Sequence, residues 1–143
     1  MNPKKIKCVL LADRHQGLTE GVRSLLETTF DAVVMVADEP SLQESATRLK
    51  LDIAVVDLAL ERGDGLGVVQ RLHARCPDLK LILLSQHDEA SVCQSAMESG
   101  ADGFVLKHKI ATDLMPAVDA VMAGRHYVSK GMLDEKAGAE GKH

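Results

Sequence analysis

Tryptophan is absent, and the 143 residues hold one tyrosine and two phenylalanines. A chain so poor in aromatics lacks the platforms on which single-stranded nucleic-acid bases stack. Its core has to be built from Leu, Val, Ile, Ala and Met. An excess of basic residues is missing too: the net charge is −4 and the Lys and Arg residues are scattered, which is not the electrostatic footprint of a DNA-binding face. Cys8, Cys76 and Cys93 are odd in number, widely spaced and without a C-x-x-C. They read as reduced thiols of a cytoplasmic protein. No apolar run approaches the roughly 18–20 residues of a membrane span. "CVLLA", after the short basic start, is too brief for a signal-peptide core and leads straight into charge, so no membrane partner is expected.

What is present is the profile of a globular domain, 45% hydrophobic and 27% charged. Five short apolar runs stand out: "IKCVLLA" (6–12), "AVVMVA" (32–37), "LDIAVV" (51–56), "LKLILLS" (79–85) and "DGFVL" (102–106). They are continuous rather than alternating, as strands covered on both faces require. Between them lie helical stripes: Leu18, Val22, Leu25 and Leu26; Leu42, Ala46 and Leu49; Leu114, Val118, Val121 and Met122. The stretches 66–75 and 88–99 are weaker but helical, with Asp64 and Asp88 placed as N-caps. Strand–helix repeated five times predicts an α/β three-layer sandwich around a parallel sheet, with right-handed crossovers. From about Tyr127 onward the sequence turns small and polar, and this tail is expected to fray.

In open parallel sheets, ligands bind outside the carboxyl ends of the strands. Asp13 and Arg14 follow the first predicted strand, Asp57 the third, Ser85 ends the fourth and Lys107 follows the fifth. Any one of these is unremarkable as a solvated strand end. Two carboxylates, a hydroxyl and two cations converging on one edge point to a site.

"LLADRH", "VVDLAL", "LILLS" and "GFVLK", in this order and spacing, resemble the receiver domain of two-component response regulators. "GADGFVLKHK" and "AGRHYVS" are similar to its NarL/FixJ (LuxR-type) branch. The resemblance runs from Ile6 to about Lys130. It implies a flavodoxin-like five-stranded sheet in order 2-1-3-4-5 over a domain 1–130, leaving 131–143 as flexible tail or start of a linker. It also implies that Asp57 is the phosphoacceptor for a histidine kinase, in a signalling domain rather than an enzyme. By the same resemblance Lys107 and Ser85 contact the phosphoryl group and Phe104 is the switch aromatic. Mg²⁺ would be held by Asp13, Asp57 and the backbone carbonyl of Ala59. Receivers of this type commonly form homodimers, and they reach DNA only through an output domain, for which this chain has no segment.

Two departures bear on that expectation. The family carries an acidic pair after the first strand, and here the second position is Arg14. Replacing an acid with a cation removes a metal ligand, and a guanidinium pairs bidentately with carboxylates. Arg14 is therefore expected to reach Asp13 or Asp57, to modify the site and to weaken or displace Mg²⁺. The alternative function is a degenerate receiver-like interaction module working without Mg-dependent phosphorylation. The milder departure is Glu61 in place of a common proline. Dehalogenase-type phosphatases, which also use a strand-end Asp, need a second acid two residues on, and Ala59 excludes it. The six histidines show no ligand spacing and read as surface residues rather than a metal site.

Overall fold

Side-chain alternation along the strands decides how the layers form. The computed structural model describes residues 7–60, 66–86 and 89–129, with residues 16–19 described as backbone only. The strands are β1 (Cys8–Ala12), β2 (Ala32–Val36), β3 (Ile53–Asp57), β4 (Lys80–Ser85), β5 (Gly103–Leu106) and β6 (Tyr127–Val128). The helices are α1 (Gln16–Leu26), α2 (Glu39–Arg48), α3 (Leu66–Arg75), α4 (Ala90–Glu98) and α5 (Ile110–Met122), with a 3₁₀ turn over Lys107–Lys109.

Along β1, Val9 and Leu11 face one way and Leu10 and Ala12 the other. The first face, with Ile53, Val55, Ile82, Leu84 and Val105, is covered by Val22 and Leu26 of α1 and by Leu114, Val118 and Val121 of α5. The opposite face, with Ala54, Val56, Leu81, Leu83 and Phe104, is covered by Leu42 of α2, Val68 and Leu72 of α3, and Cys93 and Ala96 of α4. Along β1, β3, β4 and β5 both faces are dry, which is why those sequences are continuously apolar, whereas β2 at the edge is half-buried and leaves Met35 exposed. Burying each such aliphatic side chain contributes about 1.5–3 kcal/mol before entropy is charged against it.

All pairings are parallel, and the sheet order is β2-β1-β3-β4-β5-β6. The order 2-1-3-4-5 is as expected, and the sixth strand is an addition. Tyr127 pairs with Gly103 and Val128 with Phe104, so the start of the expected fraying tail is instead strand. Ser129 fixes it there: its N–H donates to the Phe104 carbonyl at 2.9 Å, and its Oγ accepts the Leu106 N–H at 3.0 Å. Leu49, placed in the second apolar stripe, is the C-cap of α2 and is exposed, because the helix stops at Arg48. Asp64, Asp88, Glu61 and the tail 131–143 lie outside the described residues.

The sheet reverses its winding between β1 and β3, with Ala12 opposite Val56. That is the switch point at which a crevice opens above the carboxyl ends of the strands. The opposite edge is tied by a repeated device. Asp31, Asp52 and Asp102, just ahead of β2, β3 and β5, accept the backbone N–H groups of Lys7, Cys8 and Leu81 at 2.9, 2.8 and 2.9 Å.

Candidate functional site

Asp13 leaves β1 with its N–H still donated to the Val36 carbonyl at 3.1 Å, so its backbone continues the sheet and its side chain is held under the crevice. Oδ1 accepts the His15 N–H at 2.8 Å, closing an Asx turn. Arg14 stands at the apex of that turn. It is exposed and has no ion pair or hydrogen bond among the described residues. The expected pairing with Asp13 or Asp57 is thus not formed, because the turn carries residue 14 outward while it brings residue 15 back. The displaced-metal argument for a degenerate module loses its premise with it.

The inward group is His15. Its Nδ1 lies 3.2 Å from Asp13 Oδ1 and 3.5 Å from Asp57 Oδ2, although half of the side chain stays in solvent. His15 is a surface residue, as expected of the histidines, but one whose ring faces two buried carboxylates. The signal was an imidazole two residues past a strand-end Asp, and only the fold brings Asp57 to it.

Asp57 ends β3 opposite Leu84. Oδ1 accepts the Ala59 N–H at 3.0 Å, and Oδ2 accepts Lys107 Nζ at 2.8 Å. Lys107 begins the turn after β5 and also lies 3.7 Å from Asp13 Oδ2. Its side chain is 7% exposed and that of Asp57 1%, so this pair works away from bulk water. Ser85 is buried at the end of β4, in register with Leu106, the residue before Lys107. Phe104 is fully buried among the side chains beneath α2, α3 and α4. The structure thus brings Asp13, Asp57 and Lys107 into contact, sets Ser85 and Ala59 beside them in the chain and sheet, and turns Arg14 away.

Electrostatics separate the two acids. Burial pushes both carboxyls up. For Asp13 it wins, helped by the charge of Asp57, despite the His15 N–H, and its pKa is raised. For Asp57 the hydrogen bond and charge of Lys107, with the Ala59 N–H, outweigh burial, and its pKa is lowered. Asp57 is therefore the more readily ionised of the two acids. Asp13 Oδ2 is buried with no hydrogen-bond partner. Asp13, His15 and Asp57 each present a ligand atom within 4.8 Å of the others. With two carboxylates against one lysine, this cluster fits a divalent cation.

A family model described as the response regulator receiver domain matches residues 9–119. The transcriptional regulatory protein DegU of Brevibacillus brevis is 32% identical over 130 residues, covering 90% of this chain and 55% of that protein. The DNA-binding transcriptional activator DevR/DosR of Mycobacterium tuberculosis is 31% identical over 134 residues, covering 92% and 59%. Among solved structures, a LuxR-family two-component response regulator from Aurantimonas sp. SI85-9A1 superposes with a TM-score of 0.86 at 25% identity, covering 95% of this chain and 99% of that one. The chain spans little more than half the length of these two regulators. Continuous parallel strands, the switch-point crevice and the matched span agree: this chain belongs to the response regulator receiver domain family.

Proposed function

We propose that Asp57 is the phosphoacceptor, taking a phosphoryl group from the phosphohistidine of a histidine kinase. The observation that carries this is the 2.8 Å contact of Lys107 Nζ with Asp57 Oδ2 at the switch point. It keeps a buried carboxylate ionised and places a cation where charge on the phosphoryl oxygens develops. A carboxylate oxygen of Asp57 attacks phosphorus and forms the P–O bond. The P–N bond breaks, its electron pair stays on the kinase imidazole, and the product is an acyl phosphate. Lys107, released from the Asp57 oxygen, turns to the phosphoryl group.

Ser85 donates its hydroxyl to a phosphoryl oxygen, and Phe104, on the neighbouring strand, responds to that movement. A bound Mg²⁺, held by Asp13, Asp57 and the Ala59 carbonyl, would supply further positive charge to the phosphoryl oxygens. No described helix is long and apolar enough to cross a membrane, and a cytoplasmic site of action fits a kinase-fed domain. Dimer formation through the helical faces, and DNA contact through an output domain of the kind its longer relatives' names imply, complete the reading.

The test is incubation with a small phosphodonor and Mg²⁺, read by intact mass. One added phosphoryl group is expected on the wild type and none on Asp57→Asn. Incorporation that persists in Asp57→Asn would refute the assignment.

A further inference from the structure

His15 occupies the ground that the missing second acid leaves open. The Asx turn of Asp13 swings Arg14 out and fixes the His15 backbone by a 2.8 Å hydrogen bond. Nδ1 then faces two buried carboxylates, at 3.2 and 3.5 Å. The second sign of a ligand site is Asp13 itself. Its side chain is 0% exposed, and Oδ2 is aimed into the cluster without a hydrogen-bond partner, 3.7 Å from Lys107 Nζ. A buried carboxyl oxygen in that position is left undersatisfied by the protein alone.

We propose that His15 Nδ1 is a metal ligand, completing a mixed nitrogen–oxygen set with Asp13 and Asp57, and that the cleft therefore prefers a first-row divalent transition ion to Mg²⁺. The inference rests on the reading of this cleft as a phosphoacceptor site that takes a divalent cation. Mg²⁺ selects hard oxygen donors and parts reluctantly with water, whereas imidazole suits the transition ions. Losing an acid at residue 14 removes an oxygen that Mg²⁺ would use. Gaining an imidazole at residue 15 adds a donor that Co²⁺ or Ni²⁺ uses better. Coordination employs the tautomer carrying its proton on Nε2, which the half-exposed ring can turn toward solvent.

Direct metal binding tests this without phosphoryl transfer. Co²⁺ and Mg²⁺ are titrated by calorimetry into wild type, His15→Ala, His15→Asp and Asp57→Asn, each checked for folding by circular dichroism. Wild type should bind Co²⁺ on the order of tenfold more tightly than Mg²⁺, and His15→Ala should lose on the order of tenfold in Co²⁺ affinity, at least what loss of an outer-shell partner costs. Its Mg²⁺ affinity should stay within about twofold, since an oxygen-seeking ion gains little from the ring. His15→Asp should bind Mg²⁺ more tightly than wild type. A paramagnetically shifted imidazole N–H signal in the Co²⁺ form should vanish in His15→Ala. Equal Co²⁺ binding by wild type and His15→Ala, or Co²⁺ binding that survives in both His15→Ala and Asp57→Asn, overturns the proposal. Failure of Asp57 to accept phosphate while these metal affinities hold would strike the phosphoacceptor reading and leave the ligand assignment standing.

Discussion

Replacing Lys107 by methionine keeps the length of the side chain and deletes its charge. Two carboxylates are left facing each other in a site where Asp57 is 1% and Lys107 7% exposed. Removing one partner of a buried pair costs about 3–5 kcal/mol. Protonation limits that loss. A carboxyl that titrates near 4 in the unfolded chain can be kept neutral at pH 7 for about 1.4 kcal/mol per pH unit, or roughly 4 kcal/mol. Lys107→Met should therefore lose about 3–4 kcal/mol at pH 7, a large share of the roughly 5–15 kcal/mol of an ordinary domain.

The pH dependence carries a sign. In wild type the Asp57 pKa is lowered, chiefly because Lys107 overcomes burial. Its stabilising contribution is present above the unfolded value and is lost only as pH falls through the lower folded value. In the variant the folded pKa lies above the unfolded one, so the variant recovers relative stability as pH falls toward it. The gap between the proteins should shrink to about 1–2 kcal/mol by pH 5, where neutralising the carboxyl is cheap. Urea unfolding in EDTA at pH 7 and pH 5 measures both values. A loss at pH 7 below about 1 kcal/mol, the range of a solvated surface pair, or a gap that ignores pH, refutes the buried-pair account.

Three further outcomes follow from the scaffold. Asp102→Ala strips the acceptor from the Leu81 N–H and should cost about 1–2 kcal/mol in urea unfolding, with Asp57 phosphorylation unchanged because the bond lies at the far edge of the sheet. Gly100→Ala should lose about 1–3 kcal/mol, since Gly100 has φ +120° and an added Cβ would sit 2.6 Å from His73 Cγ. Gly21→Ala, in α1 with nothing within 4 Å, should instead gain about 0.5–1 kcal/mol.

The strands were legible because burial on both faces leaves a contiguous apolar run; four of the five runs contain their strand, and the third stops one residue short of the end of β3 at Asp57. β6 was not, since two residues between turns make no pattern; Tyr127–Val128 is strand because β5 offers an edge. Asp13, Asp57 and Lys107 were legible as strand-end positions, and the fold brings them within ion-pair distance. Arg14 misled through adjacency: charge was read from the sequence, but direction comes from an Asx turn whose existence depends on where Asp13 is held. His15 was missed for the complementary reason. A lone histidine has no ligand spacing in the chain, and its partner Asp57 becomes a neighbour only through the β1–β3 pairing.

The short sixth strand has a consequence for exchange with solvent. Two residues and one serine hydroxyl cover the outer edge of β5, and the Leu106 amide, adjacent to Lys107, is protected by that hydroxyl rather than by a ladder bond. Segments with few buried contacts open at free energies well below that of global unfolding. Peeling of Tyr127–Ser129 then exposes the Leu106 N–H while β1, β3 and β4 stay closed. The deuterium uptake of that single amide would report the free energy at which Tyr127–Ser129 lets go of the strand that leads into the lysine.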